Sequence, residues 1–159
     1  MPKKTWNEKL NFAGDLPKVV ELTNPKLAQR YKAQTMIIAA PAEYDELMKK
    51  VPKGRLTTID RMMAEMTKKY KAGCACPITA GIFTNIAAHA SEERSAIPGP
   101  GSKKETPWWR TLKKDGQLSE KFPDGIEGQK IRLEAEGHTV IQKGKRFLVE
   151  NYEKKLFQF

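Results

Sequence analysis

The segment Ile97-Pro-Gly-Pro-Gly-Ser-Lys-Lys-Glu-Thr-Pro107 constrains this chain more than any other stretch. Its three prolines lack the N–H that helix and sheet ladders need, and its two glycines are costly to order, so neither a helix nor a central strand runs through it. A loop is expected over 97–107, setting a helix-rich stretch apart from a shorter one that opens on Trp108-Trp109-Arg110. With 159 residues in all, two independent domains would each be marginal, so a single core shared across the loop is expected.

Before the loop, residues 1–34 mix Trp6, Leu10, Phe12, Leu16, Val19 and Val20 with Gly14, Pro17 and Pro25. This is too irregular for one long helix and reads as an N-terminal arm packed on a body of residues 35–159, with a short helix near Pro25 to Arg30. Thr35 to Ala40 reads as a buried strand or an extended lead. Pro41 then suits a first helical turn, Glu43, Asp45 and Glu46 sit early and Lys49 and Lys50 late, which predicts a helix ending near Val51. Thr57 or Thr58 opens a second helix, with Asp60 three residues after Thr57 resembling a capping box and Ile59, Met62, Met63, Met66 and Tyr70 forming an apolar stripe that ends near Gly73. Pro77 begins a third, in which Ile78, Ile82 and Ile86 fall four apart beside Phe83, while Thr79, Thr84, Asn85 and Ala88 leave the other side small enough for close approach by DNA or by another helix.

After the loop, Lys114-Asp-Gly116 marks a turn, and residues 127–136 form a short helix with Ile131 and Leu133 inward and Gly137 as its stop. Alternation from Thr139 to Val149 around Lys143-Gly144 predicts a β-hairpin with Lys143, Lys145 and Arg146 at its tip. The expected fold is mainly α with a small β-hairpin, arranged like a winged helix-turn-helix.

The formal charge is +10, concentrated in residues 46–73 (eight basic, three acidic) and 129–159 (seven basic, four acidic), around a nearly uncharged middle. Such a field favours anionic partners, whether nucleic acid, acidic protein or lipid headgroup, without choosing among them. Cys74 and Cys76 are too close in sequence for an unstrained mutual disulfide, and with only His89 and His138 available a four-ligand zinc site has no paired spacing, so no metal or cofactor is expected. No apolar run reaches the length of a membrane span or a signal peptide, and a soluble chain in the cytoplasm, or the nucleus of a eukaryote, is expected.

Val51-Pro-Lys-Gly-Arg-Leu-Thr-Thr58, Thr79-Ala-Gly81, Pro107-Trp-Trp-Arg110, Asp115-Gly-Gln-Leu118 and Gln129 through Leu133-Glu-Ala-Glu-Gly137 occur in an order and spacing that cover about residues 36–141. With these segments the chain resembles the DNA-binding domain of O6-alkylguanine-DNA alkyltransferases and the non-enzymatic alkyltransferase-like proteins. The repair enzymes carry Pro-Cys-His-Arg where this chain has Pro107-Trp-Trp-Arg110. The resemblance therefore puts Trp108 at the nucleophile, and an indole has no thiolate to attack an alkyl carbon. It further puts Trp109 at the histidine, Ile59 at a tyrosine associated with nucleotide rotation, and Ile78 at the arginine that fills the vacated base stack.

The implied function is non-enzymatic binding of double-stranded DNA, with O6-alkylguanine as the candidate lesion. Lys53, Arg55, Thr57, Thr58, Ile59, Arg61, Ile78, Thr79, Lys143, Lys145 and Arg146 would contact DNA, and Trp108, Trp109, Arg110 and Glu136 would form or support a base pocket. An apolar wedge such as Ile78 can enter a base step in place of arginine. Four other readings stay open: Trp108 and Trp109 as core residues, a DNA-binding regulator or architectural protein without lesion recognition, an enzyme that uses Cys74 or Cys76 in a reorganised cleft, and a protein-interaction module whose basic surface serves an acidic partner.

Overall fold

A computed structural model describes residues 3–96 and 105–159. Residues 97–104 of the expected loop lie outside the described residues, and Glu105 to Pro107 have no regular structure. Helix α1 is Trp6–Asn11, followed by strand β1 (Lys18–Glu21), α2 (Pro25–Tyr31), β2 (Thr35–Ile38), α3 (Pro41–Lys50), β3 (Thr57–Thr58), α4 (Ile59–Lys69), β4 (Cys74–Ala75) and α5 (Pro77–Ser95). After the loop come a 3-10 turn at Trp108–Arg110, β5 (Thr111–Leu112), a second 3-10 turn at Lys114–Gly116, α6 (Gly125–Ala135), β6 (Val140–Lys143), β7 (Arg146–Val149) and a third turn at Tyr152–Lys155. The fold is mainly α with a small hairpin, as the sequence predicts.

The helix starts follow local chemistry. Pro25, Pro41 and Pro77 each occupy a first turn, where the missing N–H costs nothing. In α3 the Glu43 carboxylate turns back to accept from the Ala40 N–H at 2.7 Å. In α4 the cap is Thr58, whose hydroxyl accepts from the Arg61 N–H at 3.2 Å, so the Thr57–Asp60 box expected from sequence is replaced by a one-residue shift. That helix also stops before Gly73, because Lys71 turns left-handed just after the cap at Tyr70.

Helix α5 is the central post, with α1, α3 and α4 packed against it. Its inward stripe is Ala80, Thr84, Ala87, Ala88 and Ser91, small side chains that let the neighbouring helices come close. Thr84 satisfies its own buried hydroxyl by donating to the Ala80 carbonyl at 2.9 Å. The isoleucines lie on the other side: Ile78 is 70% and Ile82 50% exposed, and Ile86 is half-buried. The face that close approach was expected to serve is therefore used inside the protein, and the bulky apolar face is the one left to solvent.

Residues 1–34 are tied in at two places. Glu93 on α5 accepts from the Trp6 and Asn7 backbone N–H groups at 3.0 and 3.2 Å and from the Asn7 side-chain amide at 2.8 Å, and Arg94 donates to the Asn7 side-chain oxygen Oδ1 at 2.7 Å. The His89 ring stacks on Trp6 with centroids 4.4 Å apart. Strand β1 runs antiparallel to β2, which runs parallel to β4, so the 34/35 boundary lies between two hydrogen-bonded strands.

A second, smaller core gathers Leu56, Leu112, Leu118, Leu133 and Val149 beneath the β6–β7 hairpin, whose register runs from Val140↔Val149 to Lys143↔Arg146. Helix α6 ends at Gly137, with a positive φ of 92° and the His138 N–H returning to the Leu133 carbonyl at 3.1 Å. Its inward residues are Gly128, Gln129 and Leu133, whereas Ile131 is 62% exposed, a correction to the sequence reading. Gln129 takes the inward place because three backbone groups there need partners.

Candidate nucleic-acid interface

The exposed face of α5 forms one wall of a cleft of about 880 Å³. Ile78, Gly81, Ile82 and Asn85 come from α5, Ile59 from the start of α4, Lys113 from just after β5, Ser119 to Phe122 from the segment before α6, and Trp6 and Lys9 from α1. Its lining is mostly apolar, and its charged members are Lys9, Lys113 and Lys121 together with Glu120. None of its lining residues is a cysteine.

The 119–122 wall is held from every side. Gln129 is fully buried: its carbonyl accepts from the Ser119 N–H at 2.8 Å, and its amide donates to the carbonyls of Trp109 and Thr111 at 3.1 and 2.9 Å. The Leu118 N–H donates to the Phe147 carbonyl at 2.9 Å, joining the wall to the hairpin, and His89 Nε2 lies 2.9 Å from the Lys121 carbonyl. Phe122 packs edge-on to Trp108 with centroids 5.6 Å apart.

Trp108 is 0% exposed. Phe122 and Trp109 meet its ring edge-on, the Arg132 guanidinium lies 4.8 Å from its centroid, and its N–H donates to Glu92 at 3.0 Å. With its faces covered and its polar atom satisfied, this indole offers no surface to a base, which corrects the expected pocket around it. Trp109 is half-buried and bridges the two cores.

Arg110 and Glu136 are brought together, but as a clamp. Arg110 Nε and Nη2 donate to the two Glu136 oxygens at 2.9 and 2.6 Å, and Nη1 donates to the Val51 carbonyl at 2.8 Å. Burial would raise the Glu136 pKa, but the fork from Arg110 outweighs it and holds the carboxyl below its ordinary value. None of Trp108, Trp109, Arg110 and Glu136 lines the cleft.

Of the residues expected at DNA, Ile59 and Ile78 share the cleft, and Lys53 and Arg55 stand exposed on the turn between α3 and α4. Arg61 is half-exposed, and Lys143, Lys145 and Arg146 are exposed at the hairpin tip. Thr79 turns into a neighbouring groove with Phe12 and Phe83. Thr57 is buried and Thr58 caps α4, so their hydroxyls are engaged within the protein, correcting the expectation that they face DNA. Lys9, Trp6, Lys113, Lys121 and Phe122 were missed by sequence reasoning; following Asp115–Leu118 four residues further would have reached the last two.

Burial, and then Cys76 nearby, push the Cys74 thiol above its ordinary pKa, and its Sγ lies 3.5 Å from the Thr35 carbonyl. That is the environment of an inert thiol rather than of an activated nucleophile.

No protein-family model matches this chain, and no curated protein matches it. Among solved structures it is similar to S. pombe Atl1, crystallised in complex with damaged DNA containing O6-carboxymethylguanine: TM-score 0.50 and 18% identity, covering 74% of this chain and 94% of that one. A crystal structure of S. pombe ATL in complex with DNA aligns with a TM-score of 0.48 and 19% identity over the same shares. At 18% identity the likeness is one of fold: this chain folds as the alkyltransferase-like protein Atl1 does.

Proposed function

We propose that this chain is a non-enzymatic, alkyltransferase-like protein that binds double-stranded DNA with α5 against a groove and an extruded alkylated guanine in the 880 Å³ cleft. The observation that carries the reading is the reversed polarity of α5, whose isoleucines face outward into a mostly apolar cleft with three lysines against one glutamate among its lining residues. Ile78 and Ile59 supply an apolar wedge at the cleft mouth, a documented way to open a base step. The alkyl group on O6 is apolar and suits walls made of Ile59, Ile82 and Phe122. Lys53, Arg55 and Arg61 beside α4, and the Lys143–Arg146 wing, supply phosphate contacts that carry affinity but little sequence information.

Trp108 favours a second reading. Its complete burial removes the side chain best suited to stacking, which agrees with a DNA-binding regulator or architectural protein that lacks lesion recognition.

Matched fluorescent duplexes with and without O6-methylguanine, titrated at several salt concentrations, test both. A preference of tenfold, about 1.4 kcal/mol, is expected for lesion recognition. Equal, salt-dependent binding leaves the second reading, and no binding at low salt overturns both. For the wing, the double variant Lys143→Glu, Arg146→Glu should lower the slope of log K against log salt by about 2, since each phosphate contact contributes about 0.9; an unchanged slope removes the hairpin from the interface.

A further inference from the structure

The N-terminal arm reaches the same cleft as the helix and loop described above. Resting on the DNA-binding reading, we propose that α1 is a wall of the nucleobase site, with Trp6 as its aromatic surface and Lys9 as a phosphate contact at its rim. Both residues line the cleft with Ile59, Ile78 and Phe122. Trp6 is the aromatic residue there that is not already enclosed: Phe122 is buried against Trp108, whereas Trp6 is half-exposed. One face of its indole rests on His89, and the Lys9 ammonium lies 4.4 Å from its centroid. A phosphate that draws Lys9 away would uncover the ring for a base, so backbone binding and base stacking are coupled through one side chain.

The placement is built rather than incidental. The hydrogen bonds from Trp6 and Asn7 to Glu93 and from Arg94 to Asn7 fix α1 on α5, and His89, against which Trp6 stacks, is itself held to the Lys121 carbonyl of the opposite wall.

Acrylamide quenching of tryptophan fluorescence, with Trp6→Phe as the blank that isolates the Trp6 signal, reads the contact directly. Saturation with the O6-methylguanine duplex should cut Trp6 quenching at least twofold. In polarisation titrations, Trp6→Leu and Lys9→Gln should each weaken binding of that duplex at least fivefold; circular dichroism melts check that the arm remains folded, and Lys9→Gln leaves the packing of Trp6 on His89 in place. A wild-type protein that binds the duplex while Trp6 stays as quenchable as in the free state, with Lys9→Gln binding within twofold, overturns the role of the arm alone. A wild type that binds neither duplex overturns the DNA reading together with it.

Discussion

Gly81→Ala separates what α5 does for stability from what it does at the interface. Gly81 lies inside a 19-residue helix, has ordinary helical backbone, and an added Cβ would meet nothing within 4 Å. Alanine is better than glycine in a helix interior by about 0.8–1.0 kcal/mol, and with no steric conflict that gain should appear almost whole. For a domain of this size it corresponds to a rise in Tm of about 2–4 °C. DNA binding should move the other way. If the groove closes on α5 at this point, a methyl group interposed in a packed contact costs about 1–3 kcal/mol, a loss of at least fivefold in affinity. Thermal melts followed by circular dichroism and polarisation titrations on one preparation give both numbers. A higher Tm with unchanged affinity would refute the placement of Gly81 against DNA, and a lower Tm would refute the argument that its surroundings are open.

Gln129→Leu removes three hydrogen bonds and leaves the Ser119 N–H and two carbonyls to find new partners. A loss of roughly 2–5 kcal/mol in urea unfolding is expected, and a loss under about 1 kcal/mol would show that the clamp on the cleft wall is not formed. For Glu136, the folded pKa is depressed, so its contribution is complete above the ordinary value of 4.5 and is lost as pH falls through the lower folded value. Unfolding free energies of the wild type should therefore decline below about pH 5 more steeply than those of Glu136→Gln, and parallel curves would disprove the linkage.

The helices were legible because their ends carry local signals: prolines at first turns, Thr58 as a cap, Gly137 as a stop. The hairpin was legible for the same reason, with alternation on either side of Gly144. The orientation of α5 was not. Isoleucines four apart identify one face of a helix, but which face turns inward depends on what packs there, and alanines with Thr84 and Ser91 lose little by being inside when three helices must come close. The strand at Thr35–Ile38 was anticipated, but its partners β1 and β4 were hidden: Cys74–Ala75 is two residues long and pairs parallel to β2. Gln129 was noted only as part of a motif, and its inward place was missed and Ile131 misplaced since hydropathy ranks isoleucine above glutamine, while the structure ranks three backbone groups in need of partners above one side chain. In the cleft, Ile59 and Ile78 were found from segments whose pattern was recognised, whereas Trp6 and Lys9 lie in an arm distant in sequence from every other wall.

The turn at Trp108–Arg110 serves the packing of the fold. A nucleophile at that position would need an exposed atom of lowered pKa. Here the same turn is bound into the interior: the Trp108 indole is closed in by Phe122, Trp109 and Arg132, and the next side chain but one forks onto Glu136 and reaches the Val51 carbonyl. Burying a tryptophan removes roughly 150–250 Å² from water. At about 25 cal/mol per Å² that stabilises the fold by around 4–6 kcal/mol, an upper figure since the unfolded chain already hides part of it. A side chain that contributes this to the core is not free to stack on a base, because exposing it would forfeit a large part of the stability of an ordinary domain. Trp6, by contrast, lines the cleft and is half-exposed, so the proposed base stacking falls to it rather than to Trp108.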